Sequence, residues 1–209
     1  MRALILVDLQ NDFLPGGRLA VADGDAVVPL ANQLMDAVDV VVATQDWHPA
    51  GHESFASAHP GRDPGDRIDL HGIDQVLWPD HCVQWTGGAA LAPGLHTARV
   101  ERVFAKGTDP TIDSYSGFWD NGRRKRTELG PWLAARGVTE VVLCGLALDY
   151  CVMFTALDAV DAGLRVTLAR DATRAVELQA GDGAAALARM AAAGVTLRDS
   201  AHLLRAAQP

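Results

Sequence analysis

The chain has 209 residues, 49% of them hydrophobic and 21% charged, with a formal net charge of −8. That length and balance suit one domain with a substantial core, and the acidic surface gives no electrostatic reason to bind nucleic acid or an anionic membrane. No stretch approaches the ~20 apolar residues of a membrane span. Its cysteines, Cys82, Cys144 and Cys151, cannot all pair within one chain, and Asp8 breaks the N-terminal apolar run too early for a secretory segment, so the expected setting is the cytoplasm and the expected ligand a small molecule.

Short runs rich in Val, Ile and Leu alternate with helical patterns along the chain. This is the signature of an α/β fold, here a three-layer α/β/α arrangement around a mostly parallel sheet of about six strands, with residues 1–209 forming a single domain. The first strand, Arg2 to Val7, ends at Asp8 and is followed by Gln10-Asn11-Asp12-Phe13. A helix is expected over Ala26 to Ala37 and a strand over Val38 to Thr44. Between Gln45 and Ala98 the periodicity lapses into a segment rich in Gly, Pro, Asp and His, which carries Trp47, His48, His52, His59, His71, Trp78, His81 and Trp85. Long loops of this kind are functional when ordered, and a bound metal would supply cross-links that the segment otherwise lacks.

A strand over Arg99 to Phe104 leads to Lys106. The cluster Arg123-Arg124-Lys125-Arg126 stands alone in an acidic chain, and reads as a solvated loop or as a grip on an acidic neighbouring subunit in a homo-oligomer. Helices are expected over Thr127 to Arg136, Leu148 to Ala162 and Asp182 to Ala193, each followed by a glycine (Gly137, Gly163, Gly194) where a left-handed C-terminal cap is wanted. Strands over Glu140 to Cys144, Arg165 to Ala169 and Val195 to Arg198 complete the sheet.

Three isolated groups follow apolar strands: Asp8, Lys106 and Cys151. A strand-end acid often only caps a turn, and a strand-end lysine is most often a solvated charge. Their interest lies in common placement, because the ends of parallel strands form the crevice where open α/β sheets bind ligands. Cys151 is expected at the head of an apolar helix, where free backbone N–H groups and the helix dipole favour a thiolate and can cradle an oxyanion. Cys144, inside a strand, reads as core filler, and Cys82 as core filler in preference to a metal ligand. In Asp46-Trp47-His48, residues two apart in an extended segment share a side, so Asp46 and His48 can share an ion. His81, stiffened by Trp78-Pro79-Asp80, is the favoured third ligand and His52 the competitor. One carboxylate and two imidazoles with open positions suit zinc, iron or manganese.

Several blocks together carry a family resemblance: V-D-L-Q-N-D-F from Val7, T-Q-D-W-H-P from Thr44, W-P-D-H-C-V from Trp78, K-G from Lys106, D-S-Y-S-G-F from Asp113 and G-L-A-L-D-Y-C-V from Gly145. Nearly end to end, the chain resembles the metal-containing nicotinamidase/pyrazinamidase branch of the isochorismatase-like cysteine hydrolases. The resemblance implies a catalytic triad of Asp8, Lys106 and Cys151, metal ligands Asp46, His48 and His81 for one divalent ion with zinc foremost, and an aromatic pocket of Phe13, Trp78 and Tyr115. It also implies an oxyanion hole from the N–H groups of Ala147 and Cys151, with a cis peptide between Leu146 and Ala147. Leu148 departs from the family's frequent threonine, and His52 or Ser54 is left as a further neighbour of the ion. The implied activity is hydrolysis of nicotinamide to nicotinate and ammonia through a thioester, serving NAD salvage, with pyrazinamide as a second substrate. The alternatives are a sibling cysteine amidohydrolase acting on a carbamoyl or ureido compound, or a catalytically silent metal-binding relative.

Overall fold

The alternation within the first strand sets the architecture. In β1 (Arg2–Val7), Ala3, Ile5 and Val7 join one apolar cluster and Leu4 and Leu6 another, and all of them are fully buried. A strand that is apolar on both faces must be covered on both. A computed structural model of the chain describes residues 1–206 and supplies that cover.

The central sheet contains β1, β2 (Val40–Asp46), β5 (Arg102–Lys106), β6 (Glu140–Leu146), β7 (Arg165–Arg174) and β8 (Thr196–Arg198), in the spatial order β5-β2-β1-β6-β7-β8 with every pairing parallel. Helices α2 (Leu129–Ala135), α3 (Met153–Asp161) and α4 (Asp182–Ala192) place Leu129, Leu133, Ala156, Ala186 and Met190 against one face. Helices α1 (Val27–Leu34) and α5 (Ser200–Ala206) place Val27, Ala31, Leu34 and Leu203 against the other. The strand order turns back between β1 and β6, and the crevice at such a switch point lies beyond the carboxyl ends of both strands. Asp8 leaves β1 there, and Cys151 follows β6.

The register brings the two strand ends very close. Val7 pairs with Gly145, where a Cβ would lie 2.0 Å from the Val7 carbonyl oxygen, so no other residue fits without moving backbone. On the other side of β1, Asp46 of β2 lies in register with Lys106 of β5.

Most sequence-derived elements are present with shifted ends. The strand expected from Val38 begins at Val40 because a 3₁₀ turn, Met35–Ala37, extends α1. The strand expected from Arg99 begins at Arg102 after the 3₁₀ turn Thr97–Arg99. Gly137, Gly163 and Gly194 adopt φ of 68°, 82° and 96°, the left-handed caps expected of them. Three elements escape the sequence reading. Strands β3 (Arg67–Leu70) and β4 (Ile73–Val76) form an antiparallel hairpin inside the long loop, joined by His71-Gly72 at φ 55° and 84°, the left-handed pair of a two-residue hairpin turn. Helix α5 follows β8 directly. Within the basic cluster, Arg123 spends its charge on Asp158 at 3.1 Å and Asp161 at 3.4 Å. No helix among the described residues is long and apolar enough to cross a membrane.

Candidate active site

The three strand-end groups meet. Lys106 Nζ lies 2.9 Å from Asp8 Oδ2 and 3.4 Å from Cys151 Sγ, and it also contacts Asp46 Oδ1 and donates to the Ser114 carbonyl at 2.8 Å. Asp8 and Lys106 are essentially without exposure and Cys151 is 6% exposed, so the ammonium's contacts are made in a medium where they count for far more than in water. Asp8 Oδ1 accepts the Thr44 hydroxyl at 2.6 Å. Its Oδ2 is paired ionically with Lys106 and makes no directed hydrogen bond, which leaves that oxygen open toward the thiol.

One expectation about Cys151 is corrected. It does not open a regular α-helix: Leu148–Val152 forms a π-helical turn, and α3 proper starts at Met153. Nor does its setting favour a resting thiolate. Burial pushes the thiol well above its ordinary range, the Lys106 ammonium pulls it down, and the carboxylates of Asp8 and Asp46 push it up again. Burial also raises the Asp8 carboxyl, with Lys106 offsetting part of the rise. Lys106 itself is held firmly protonated, because the two carboxylates outweigh the burial that would discharge it. With the thiol pushed up and Lys106 protonated beside Asp8, a proton can pass from sulfur to Asp8 as the sulfur attacks. The peptide bond between Leu146 and Ala147 is cis, as the resemblance implies.

A second group lies against this one. Asp46, His48 and His81 each offer a donor atom within 4.8 Å of the others, and all three side chains are buried. His48 Nδ1 faces the Gly107 carbonyl at 3.0 Å and His81 Nδ1 faces the Pro79 carbonyl at 2.8 Å. A carbonyl fixes the proton on Nδ1 and leaves Nε2 as a lone-pair donor. Both Nε2 atoms point at Asp46 Oδ2, each at 3.7 Å. Burial works to raise the Asp46 carboxyl, but Lys106 and His48 outweigh it and hold it well below the usual carboxylate range. A buried carboxylate faced by the Nε2 atoms of two imidazoles is a donor set that suits a divalent metal ion. His52 is buried beside this group, with its ring 4.6 Å from that of His48, but it does not belong to the three-donor set; its Nδ1 is 2.8 Å from Ser54 Oγ. His59 and His71 turn to Glu53, and Trp85 stands 87% exposed.

Between the thiol and the metal donors lies a small pocket walled by Phe13, Trp78, Tyr115 and Ala147 among others. The Tyr115 hydroxyl accepts from Gln75 Nε2 at 3.0 Å and Trp78 Nε1 at 3.2 Å, which locks two of the aromatic walls together. Sequence reasoning missed Tyr150, whose ring stands perpendicular to Trp78 at 4.8 Å, although it directly precedes Cys151. It also missed Leu19 and Val176, which line the same cavity from distant segments. Thr44, which orients Asp8 across a 36-residue separation, carries no sequence signal of that contact.

A doubly wound sheet whose switch point brings together a thiol, a carboxylate and an ammonium, beside three metal donors, has the frame of a cysteine amidohydrolase. The chain belongs to the isochorismatase family: residues 2–202 match the model of the isochorismatase domain. It is 51% identical to a nicotinamidase of Escherichia coli over 94% of this chain and 93% of that one. Among solved structures, an Acinetobacter nicotinamidase/pyrazinamidase superposes with a TM-score of 0.94 at 42% identity, covering 97% of both chains. A pyrazinamidase of Pyrococcus horikoshii, solved in complex with zinc, superposes with a TM-score of 0.76 at 36% identity over 95% of this chain and 98% of that one.

Proposed function

We propose that this enzyme is a nicotinamidase, which hydrolyses nicotinamide to nicotinate and ammonia through a thioester on Cys151. One observation carries the chemistry: the Lys106 ammonium touches both the Asp8 carboxylate and the Cys151 sulfur, and all three are buried. The pyridine ring lies between Phe13 and Trp78 with its amide carbon over the sulfur. Asp8 takes the thiol proton as the sulfur attacks, and the negative charge that forms on the amide oxygen is met by the N–H groups of Ala147 and Cys151. The C–N bond breaks as Asp8 returns the proton to the leaving nitrogen, which departs as ammonia. A water then gives a proton to Asp8 and its oxygen to the thioester carbon, and nicotinate leaves as the thiol is restored. Lys106 keeps Asp8 ionised between proton transfers and offsets charge on the sulfur.

Asp46, His48 and His81 would hold the metal ion, and zinc is the ion we assign, in line with the donor set and with the zinc-bound Pyrococcus relative. When bound, the ion supplies a Lewis-acid contact for the ring nitrogen. Pyrazinamide, whose ring differs by a second nitrogen, is accepted in the same pocket. The unpaired state of Cys82, Cys144 and Cys151 suits a reducing cytoplasm and a place in NAD salvage.

The test is ammonia release from nicotinamide by the wild type and by Cys151→Ala. The expected result is steady release by the wild type and a loss of about ten-thousand-fold or more in the variant, with metal content unchanged. Comparable turnover in the variant would exclude covalent catalysis, and a wild type inert on nicotinamide but active on a carbamoyl amide would move the substrate to the sibling class.

A further inference from the structure

The turn after β1 carries two buried polar side chains that the hydrolytic steps do not use, Gln10 and Asp12. Gln10 is fully spent on backbone. Its Oε1 accepts the Asp46 N–H at 2.8 Å, and its Nε2 donates to the Asp46 carbonyl at 2.8 Å and to the Ala89 carbonyl at 2.9 Å. Both main-chain polar groups of Asp46 are therefore gripped by one carboxamide. Asp12 works on the other side of the metal donors. Its Oδ2 accepts the N–H of Cys82 at 2.7 Å, where the backbone turns through φ 45° directly after His81. The Cys82 carbonyl in turn accepts the His48 N–H at 3.1 Å. Asp12 is itself packed against backbone: a Cβ on Gly88 would lie 2.1 Å from its Oδ2, and the Gly88 carbonyl accepts the Asp12 N–H at 3.0 Å.

We infer that Gln10 and Asp12 are positioning residues for the metal centre, setting the backbone of Asp46 through Gln10 and that of His81 and His48 through Asp12 by way of Cys82. The inference rests on the metal site of the proposed function and deepens it. Asp46, His48 and His81 come from the end of a strand, the residues beyond it and a distant loop, so their donors share no rigid element. The spacing of their donor atoms depends on these hydrogen bonds. Outer partners of this kind typically carry a ten- to hundredfold share of metal affinity. The alternation along Asp8, Gln10 and Asp12 acquires a meaning: one residue faces the thiol, and the two others hold the ion's ligands in place from below.

The variants are Gln10→Glu, which turns a carboxylate oxygen toward the Asp46 and Ala89 carbonyls, Asp12→Asn, which keeps the shape and loses the charge, and Gly88→Ala, which displaces the Asp12 carboxylate without changing it. Zinc affinity is read by competition with a chromogenic chelator, and the melting temperature of the metal-free protein is read alongside. The expected result is a zinc affinity weaker by about a hundredfold in Gln10→Glu and about tenfold in Asp12→Asn and Gly88→Ala, with metal-free melting lowered by only a few degrees. Lowered metal-free melting with wild-type zinc affinity would reduce both residues to general packing and overturn the inference. Should Gln10→Glu fail to fold, Asp12→Asn decides by the same two readings. A wild type that takes up no zinc would remove the metal site itself and this inference with it, whereas zinc uptake by the wild type together with undisturbed affinity in the variants would remove the inference alone.

Discussion

The rim of the sheet and the excursion over residues 45–98 contribute to one pocket by different means. Asp8, Lys106 and Cys151 are placed by strands whose register is fixed along their whole length: β1 pairs with β6 from Arg2 to Val7, and β2 with β5 up to Asp46 and Lys106. Trp78 and His81 sit in a segment with no such ladder, held by isolated backbone bridges. Trp78 N–H reaches the Ser54 carbonyl at 2.9 Å, and the Gln84 N–H reaches the His48 carbonyl at 2.8 Å. The nucleophilic side of the pocket is thus rigid by architecture, and the side that binds metal and ring is rigid by local hydrogen bonds and, on the proposed reading, by the ion. Placing reactive groups on rigid elements limits the cost of misplacement, which is steep for chemistry.

Lys106 is where the two halves join, since its ammonium contacts the carboxylates of both Asp8 and Asp46. Replacing it by Met leaves two buried acids facing each other with no cation between them. The expected loss in turnover is about a thousandfold, measured by ammonia release. The expected loss of stability, about 3 to 5 kcal/mol for a broken buried ion cluster, is measured by denaturant unfolding. A variant with full stability would show that the contacts of Lys106 matter little to folding and that the two halves are independent.

Removing the metal should separate the halves rather than join them. Hydrogen exchange on the metal-stripped protein is expected to speed up in the backbone around residues 48–56 and 78–84, while β1 and β6 keep their protection. At a free ion concentration about a hundredfold above its dissociation constant, the ion stabilises the fold by about 2.7 kcal/mol, which thermal melting detects. Uniform acceleration across the sheet would mean that the excursion is structurally part of the core.

The same contrast explains how much could be read from the sequence. Strand-end residues announce themselves: Asp8 and Lys106 are isolated charges after apolar runs, and the glycine caps that frame the helices were legible for the same reason. Within the excursion, the two-residue spacing of Asp46 and His48 suggested a shared ion but left His81 and His52 in competition, and the blocks matching a family singled out His81. The hairpin of β3 and β4 was missed although R-I-D-L-H-G-I-D-Q-V alternates and carries a turn-forming His-Gly; short, polar and half-exposed strands give weak periodicity. The thiolate expectation failed on magnitude, because helix-end effects are small beside the burial of a sulfur at 6% exposure.

Thr44 tests the rigid half on a finer scale. Its hydroxyl donates to Asp8 Oδ1 at 2.6 Å and accepts the Asp8 N–H at 3.3 Å, at a residue whose φ is 47°. Thr44→Val keeps the shape and removes both bonds. A hydrogen bond to a charged group contributes about 1.5 to 3 kcal/mol, so kcat is expected to fall about tenfold or somewhat more with KM little changed, and Thr44→Ser should restore most of it. A change confined to KM would place the role of Thr44 in substrate binding.

The smallest effect is expected at Leu148, where the chain departs from the threonine that its family resemblance implies. A hydroxyl beside Ala147 invites the idea that leucine here weakens the oxyanion site. The packing argues otherwise. Leu148 is 7% exposed and belongs to the apolar cluster of Val152, Ala186 and Met190, and its Cδ2 lies 3.6 Å from the place a Cβ on Gly183 would occupy. The side chain thus fills the space between the π turn and the start of α4, fixing the turn that carries Cys151 by contact rather than by a hydrogen bond. Leu148→Thr should therefore cost about 2 kcal/mol of stability by loss of packing while kcat, measured well below the melting temperature, changes by less than about threefold. A gain of tenfold or more in kcat would show instead that the hydroxyl acts on the backbone of the oxyanion site and that this chain has exchanged some catalytic power for a better packed turn.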